Sequence, residues 1–338
     1  MNERFDDESV KLAYASVDQA TGLALQADSA SAARELAGIP DGVLDAETAT
    51  FRDAMIQRFG PDASAPPDFG VTEEWVAGLV KAYVNYWQQV LTKYVPFTAA
   101  EDELQAAVGK LMGRPLTSSD LFDSVETEIQ AELTKYGFHA LLGRTGSLRE
   151  LMLWREQTTS QEDVKLPEGI HRVTIFYLND FVLRGWGHYA TCGRRSAGGW
   201  ATEAGLFAVV PAYKKLDDET FSVRFLAHEA QHFADKKFFK HLEGWELEYR
   251  AKLVELALAN TIQADTLKRI CENRNNSTKQ EPHPYANFMV IQDLEQSLAN
   301  QPRQYALCAG IIGDEQAIRD AAKTLLIEDS RRRKKMPS

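Results

Sequence analysis

The sequence predicts an α+β protein that is predominantly α-helical. Long stretches of the first half repeat apolar residues at the spacing of one helix face, whereas two stretches near the middle are rich in β-branched and aromatic residues, as strands are. Hydrophobic residues make up 44% of the 338 positions and charged residues 26%, the composition of a chain with a packed core. The change of pattern near residue 165 predicts a helical domain over 1–165 and a second domain over 166–328, followed by a basic tail at 329–338.

The helical pattern of the first half is clearest in residues 72–95. Trp75, Leu79, Tyr86 and their neighbours recur three or four positions apart, and Pro96 stops the pattern. Residues 60–70, rich in proline and glycine, predict a linker or surface loop. Further helices are expected over 45–59, 98–112, 117–137 and 147–158.

The second half begins with the two predicted strands, residues 171–181 and 205–213. A loop rich in glycine and aromatic residues, 184–205, connects them. From residue 217 onward the pattern is helical again, and a small β-sheet is therefore expected beside several helices. A polar loop is expected over 272–285, and the two closing helices over about 286–300 and 302–328. The basic run RRRKK (331–335) is expected to be a solvated, frayed terminus.

Composition excludes several classes of function. The formal net charge of -11 argues against nucleic-acid binding, which needs a basic surface. No run approaches 18 apolar residues, so no membrane partner or span is expected, and the N-terminus lacks the apolar core of a signal peptide. Three widely spaced cysteines, Cys192, Cys271 and Cys308, show neither a disulfide framework nor a CxxC pair. Reduced thiols and a cytoplasmic location are expected; the sequence does not indicate an oligomeric state.

The stretch FLAHEAQHFADK (225–236) carries the clearest chemical pattern. His228 and His232 are four residues apart, so on a helix both imidazoles point towards one place. Neutral imidazole is a preferred ligand of Zn²⁺, which takes three protein ligands in a catalytic site. Glu229 lies about 100° further round the helix, where it is better placed to reach a water on the metal than the metal itself. The alternative is that both rings simply hydrogen-bond within the protein.

This HExxH pattern, together with the preceding predicted strand, resembles the zincin metallopeptidases over about residues 205–260. The metzincin subclass does not fit, because the residues after His232 lack its glycine and place His241 too late. The gluzincin subclass fits better, because its third ligand is a glutamate in an ExxA pattern on a following helix. The resemblance implies one Zn²⁺ per chain, Glu229 as general base on a zinc-bound water, and a peptide or protein substrate held along the strand at 205–210.

The third ligand is expected in ELEYRAKL (246–253). Leu247, Ala251 and Val254 form the apolar stripe of this helix, and Glu248 lies at the edge of the stripe with Ala251 in the ExxA relation. Glu248 is therefore chosen. The other candidates that remain open for this place are Glu246, Glu243 and His241. Asp235 and Glu255 are candidates for the layer around the ligands: Glu255 is expected either to accept a hydrogen bond from a liganding histidine or to form an ion pair with Lys252 or Arg250.

A peptidase site also needs a donor for the developing oxyanion. Candidates are His188, Tyr189 and Arg184 in the glycine-rich loop, and His283 and Tyr285 in the polar loop; His188 and Tyr189 are taken as the catalytic candidates. The sequence thus predicts a zinc metallopeptidase. The alternatives are a zinc-binding protein without activity and a helical interaction protein in which HExxH is accidental.

Overall fold

The computed structural model describes residues 5–63, 65–116, 119–299, 306–309 and 314–335, with the backbone alone for 119–123. Helices dominate and a single five-stranded mixed sheet is present among these residues, so the predicted α+β, mainly helical class is confirmed. The chain forms two compact units. Unit 1 comprises residues 1–157 and 179–197, and unit 2 comprises residues 158–178 and 198–338. Each unit has its own cluster of buried apolar side chains.

Unit 1 is built mainly from helices. They are α1 (Asp7–Leu25), α2 (Ser29–Ala37), α3 (Ala46–Phe59), α4 (Glu74–Thr92), α5 (Phe97–Leu111), α6 (Ser119–Lys135) and the short α7 (Trp186–Ala190). α4 is the predicted helix of residues 72–95, and its fully buried Tyr83 and Trp87 belong to the core of the unit. Aspartates begin several of these helices: the carboxylate of Asp6, for example, accepts a hydrogen bond from Ser9 N.

The sheet has the order β1-β2-β3-β5-β4. Its strands are β1 (His139–Thr145), β2 (Leu148–Leu166), β3 (Gly169–Arg184), β4 (Gly199–Thr202) and β5 (Gly205–Val209). The helix predicted over 147–158 is wrong, because these residues form the start of β2. Thr145 pairs with Leu148 across a two-residue turn, where Gly146 has a φ of 63°. Pairing with β1 thus determines the strand, whereas the apolar run alone also fits a helix.

Unit 2 contains the other helices. They are α8 (Glu219–Phe221), α9 (His228–Phe238), α10 (Gly244–Leu258), α11 (Gln263–Glu272), α12 (Pro282–Leu298) and α13 (Glu315–Arg333). A π-helical segment, Ser222–Ala227, leads directly into α9. The core of the unit lies between the sheet and these helices, and α10 packs against α9, α12 and α13. The helix predicted over 302–328 begins later than expected, since α13 starts at Glu315. Residues 302–305 and 310–313 lie outside the described residues.

The predicted fraying of the basic run is wrong for residues 331–333, which belong to the last turn of α13, although Arg331 and Arg332 are solvent-exposed as expected. Asp329 and Ser330 are buried, and Arg333 lies 2.6 Å from Asp329 Oδ2 and 3.0 Å from Glu246 Oε1. Carboxylates of α13 and α10 thus pair with Arg332 and Arg333, which the composition of the run does not reveal. Residues 336–338 of the tail lie outside the described residues.

The expectation of reduced thiols is wrong for two of the three cysteines. Cys271 and Cys308, 37 positions apart, form a disulfide between the end of α11 and the chain before α13, and Cys192 is free. Spacing alone does not reveal such a pair, because only the fold brings the two sulfur atoms together. Within the described residues every helix is too short or too polar to cross a bilayer.

Candidate metal centre

The HEAQH motif occupies the first turn and a half of α9. His228 and His232 are buried, and their rings stand nearly perpendicular with centroids 4.6 Å apart. Their Nε2 atoms are only 3.0 Å apart, so both rings point to one place as the i,i+4 spacing predicts. The π-helical turn before His228 was not foreseen from the sequence; such wide turns occur frequently at functional sites.

α10 brings Glu248 to the same place. Its Oε1 lies 3.2 Å from His232 Nε2, and its Oε2 lies 3.5 Å from His228 Nε2. Two ligands that are each about 2.1 Å from a tetrahedral zinc ion lie about 3.4 Å from one another. The 3.0 Å between the two Nε2 atoms, and the 3.2 and 3.5 Å from these atoms to the two oxygens of the Glu248 carboxylate, are therefore close to the ligand spacing around a zinc ion. Among the described residues, these three side chains form the group of donors able to hold a metal ion.

The carboxylate of Glu248 is poorly satisfied by the protein itself. Its side chain is 13% exposed, and Oε2 has no hydrogen-bond partner among the described residues. His283 Nδ1 comes within 2.8 Å of this oxygen, but without the alignment of a hydrogen bond. A buried carboxylate oxygen without an aligned donor is costly unless a cation is its partner. The donor set and this oxygen together fit a bound metal ion.

Glu255 holds His228 from the other side. His228 Nδ1 lies 2.6 Å from Glu255 Oε1, which also accepts a hydrogen bond from Lys252 Nζ at 3.1 Å. Both contacts considered for Glu255 from the sequence are thus present. An Nδ1–H that donates to Glu255 leaves Nε2 as the free donor atom, the arrangement that orients metal-ligating histidines. Burial alone would lower the pKa of His228, but the nearby carboxylates of Glu248 and Glu255 outweigh it and raise this pKa to about 9.

The other candidates for the third ligand have different positions. Glu246 accepts a hydrogen bond from Glu243 N at the start of α10 and pairs with Arg333. Glu243 accepts a hydrogen bond from the Trp245 indole, and His241 is an exposed residue before the helix. The Asp235 carboxylate accepts hydrogen bonds from Gln231 and Arg250, and it does not bind either histidine of the motif. Glu248 therefore fits the ligand position best.

Glu229, the predicted general base, follows His228 and is half-buried. Tyr213 lies close enough to feel its charge: burial, and then the negative charge of Glu229, raise the pKa of the Tyr213 hydroxyl. That hydroxyl donates to Gly198 O at 3.0 Å. Tyr213 could not be predicted from residue spacing, because the end of β5 and the turn after it bring this residue near Glu229 of the motif helix.

The oxyanion candidates fall into different units. His188, Tyr189 and Arg184 belong to unit 1, whereas His283 and Tyr285 lie in the first turn of α12 in unit 2. The Tyr189 hydroxyl is buried and donates to Gln88 Oε1 at 2.8 Å. Burial, together with the positive charges of Arg184 and Arg58, lowers the pKa of His188 to about 4. A catalytic role of His188 and Tyr189 stays a prediction from the sequence.

The expected peptide-binding strand needs a correction. β5 is hydrogen-bonded to β3 on one side and to β4 on the other, so the segment 205–210 has no free edge for a peptide. β4 is the terminal strand of the sheet among the described residues, and it packs against α9. The pairing of the strands with one another determines which strand has a free edge. The sequence of a single strand does not reveal this pairing.

Comparison of the chain with protein-family models, with curated proteins and with solved structures finds no match.

Proposed function

We propose that the protein is a zinc-dependent hydrolase, and specifically a metallopeptidase. The observation that carries the proposal is the convergence of His228, His232 and Glu248 beside the half-buried Glu229. The two Nε2 atoms are 3.0 Å apart, and the two carboxylate oxygens of Glu248 lie 3.2 Å from His232 Nε2 and 3.5 Å from His228 Nε2. Three ligands of this kind, with the carboxylate of Glu229 one residue after His228, suit hydrolysis better than structural metal binding. A structural zinc site closes its shell with four protein ligands, and three protein ligands leave one position for water.

Each side chain then has a task in peptide hydrolysis. Bound zinc supplies a water of lowered pKa and polarises the substrate carbonyl. Glu229 takes the proton of the attacking water on its carboxylate and passes it to the leaving amine nitrogen. Glu255 keeps Nδ1 of His228 protonated, so that Nε2 faces the metal. His283, 65% exposed and beside Glu248, is the donor best placed for the oxyanion, since the Tyr213 hydroxyl already binds Gly198 O.

The sheet edge supports a peptide as substrate. The Gly198 carbonyl accepts a hydrogen bond from Val209 N, and in this antiparallel register every second residue bonds inward. The backbone groups of Gly199 and Ala201 therefore face away from β5. An extended peptide that added to this edge would gain main-chain hydrogen bonds next to the motif helix.

The decisive experiment compares zinc content with turnover. The purified chain, saturated with zinc and dialysed, is expected to hold about one zinc per chain and to cleave a mixture of unstructured peptides. Glu229→Gln is expected to keep the zinc and lose the turnover, because the amide cannot take the proton. Less than about 0.1 zinc per chain would refute the metal centre, since a catalytic site holds its ion stoichiometrically; full zinc with equal turnover in both forms would refute the role of Glu229.

The third ligand is tested separately by a matched pair of variants on one helix. Glu248→Gln is expected to weaken zinc binding by at least the ten- to hundredfold typical of losses around a ligand shell. Glu246→Gln removes a carboxylate of the same helix that faces Arg333, and zinc binding is expected to be unchanged. Competition with a chromogenic chelator measures both affinities. The reverse outcome would assign the ligand to Glu246.

A further inference from the structure

Two aromatic side chains form a corner beside the metal centre. Trp245 in the first turn of α10 and Tyr285 in the first turn of α12 have ring centroids 5.1 Å apart and planes at 81°. Lys279, from the loop before α12, places its Nζ 5.0 Å from the Trp245 centroid and 5.9 Å from the Tyr285 centroid. Both distances are within the range of cation–π attraction, and so the corner is a site that holds an ammonium group.

The corner is held in shape by its surroundings. The Trp245 indole nitrogen donates to Glu243 Oε2 at 2.7 Å, which fixes the orientation of the ring. Gly244 lies against the ring of Pro282: a Cβ at Gly244 would be in van der Waals contact with Pro282 Cγ at 3.4 Å. The starts of α10 and α12 are thus packed together, and both rings are half-buried. Preorganised walls of this kind lose little freedom when a ligand enters.

The corner lies within reach of a substrate bound at the metal centre. Trp245 precedes Glu248 by three positions on α10, and residues at this spacing have Cβ atoms about 5–6 Å apart. Tyr285 belongs to the same first turn of α12 as His283, whose Nδ1 is 2.8 Å from Glu248 Oε2. An extended peptide advances about 3.3 Å per residue. A side chain one or two residues from the cleaved bond would therefore reach the corner.

The occupant of the corner is exchangeable. Lys279 is exposed, and among the described residues its ammonium group has no carboxylate partner, so the two rings are its contact. We propose that the Trp245–Tyr285 corner is a substrate subsite for a basic side chain, lysine or arginine, and that Lys279 occupies it in the free protein as an internal competitor. This proposal rests on the proposed peptidase function. Glu243 adds a negative charge at the rim of the corner and favours the same class of side chain.

Kinetics with a matched pair of peptides tests the competitor. Two otherwise identical peptides carry lysine or norleucine near the cleaved bond, so that they differ only in the charge. Lys279→Ala is expected to lower KM for the lysine peptide about two- to fivefold, the factor that corresponds to an exposed cation–π contact, and to leave KM for the norleucine peptide unchanged. Lys268→Ala, which removes a surface lysine of α11 paired with Glu272, is the control and is expected to change neither. An equal response of both peptides, or none, would overturn the proposal.

The walls are tested by variants that keep or remove the aromatic face. Trp245→Leu and Tyr285→Leu are each expected to raise KM for the lysine peptide but not for the norleucine peptide. Trp245→Phe keeps a face and is expected to restore most of the preference. Two independent wall variants keep the test conclusive if one of them fails to fold. Loss of turnover on both peptides with zinc retained would indicate a structural role and overturn the proposal.

A binding readout separates this subsite from the peptidase activity itself. The indole N–H resonance of Trp245, assigned by its loss in Trp245→Phe, is followed while Nα-acetyl-lysine amide or its norleucine analogue is added to the full chain. A shift with the lysine compound alone, strengthened in Lys279→Ala, supports the subsite even if no peptide is cleaved, in which case the proposed function alone fails. Turnover of peptides without any shift or charge preference overturns the subsite and leaves the proposed function standing.

Discussion

The two histidines of the motif differ in how their second nitrogen is held. Nδ1 of His228 faces Glu255 at 2.6 Å, whereas Nδ1 of His232 is buried without a hydrogen-bond partner among the described residues. His228 is therefore the proposed ligand whose tautomer and orientation the protein determines. In the metal-free protein this ring shares its surroundings with two carboxylates, Glu248 and Glu255, and it carries a proton to balance them.

This proton gives the metal-free protein a pH-dependent stability. The pKa of His228 is raised to about 9 in the folded state, above the value of about 6.5 expected when unfolded. The folded state binds the proton more tightly, so the stabilisation is fully present below about pH 6.5 and is lost as the pH rises through about 9. Urea unfolding of the chelator-treated protein at pH 6 and pH 9.5 should show a decrease of about 2–4 kcal/mol.

The control for that measurement is His228→Gln, which lacks the titrating ring and should lack this part of the decrease. If the wild-type protein and the variant lose the same free energy of unfolding between the two pH values, the proton is not held by His228. Zinc binding at pH 7.5 should also release this proton, since a liganding imidazole must be neutral.

At the scale of the elements, Arg250 joins the motif helix α9 to α10. Its side chain, 1% exposed, donates to Asp235 Oδ2 on α9 at 2.9 Å and to Asp329 Oδ2 on α13 at 2.7 Å. It also binds Glu168 and Ser330. Since Asp235 follows His232 by three positions and Arg250 follows Glu248 by two, the bridge holds together the two helices that supply the proposed ligands.

Removal of Arg250 should therefore be costly. Arg250→Met leaves the buried carboxylate of Asp235 without a counter-charge, whereas Asp329 keeps Arg333. A loss of about 3–5 kcal/mol in the free energy of unfolding is expected. Arg172→Met is the matched control, because Arg172 pairs with Asp163 on the exposed β2–β3 hairpin, and its loss should cost less than about 1 kcal/mol. Denaturant unfolding of both variants measures the difference. Equal effects would show that the buried bridge contributes no more than a surface pair.

A second prediction at this scale concerns the edge of the sheet. Ala201→Pro removes the backbone N–H that faces away from β5 on β4, while the bonds to β5 remain, and proline is tolerated at such edge positions. If peptides add to this edge, the variant should raise KM several-fold at unchanged zinc content. The same substitution would leave KM unaltered if substrates bound elsewhere, and steady-state kinetics with one peptide decides between the two.

At the scale of the whole molecule, a disulfide cross-links two segments of unit 2. The Cys271–Cys308 disulfide connects α11 with the chain before α13 across 37 positions of sequence. By restricting the unfolded chain, a bridge of this span contributes about 2–4 kcal/mol. A reductant should therefore lower the urea midpoint of the wild-type protein and of Cys192→Ser, but not that of Cys308→Ser. A midpoint that does not respond to the reductant in the wild-type protein would contradict this role.

The sequence predicts the structure of a segment where its own residues determine that structure, and it fails where contacts with other segments determine it. The helix at 72–95 and the strand at 171–181 are confirmed, because their apolar spacing is itself the cause of the structure. The segment 147–158 is a strand against expectation, since its apolar run suits either structure and the hairpin with β1 decides. Residues 331–333 of the basic run are helical for a similar reason, since Asp329 and Glu246 face Arg333.

The sequence by itself determined the mainly helical α+β class and the pairing of His228 with His232 on one helix face, because both follow from local periodicity. Only the tertiary structure decided the rest. It brought Glu248 rather than Glu246 to the two rings, made β4 the edge of the sheet, joined Cys271 to Cys308 and placed Lys279 between Trp245 and Tyr285. Each of these depends on the packing of segments distant in sequence, which the periodicity of a single segment does not contain.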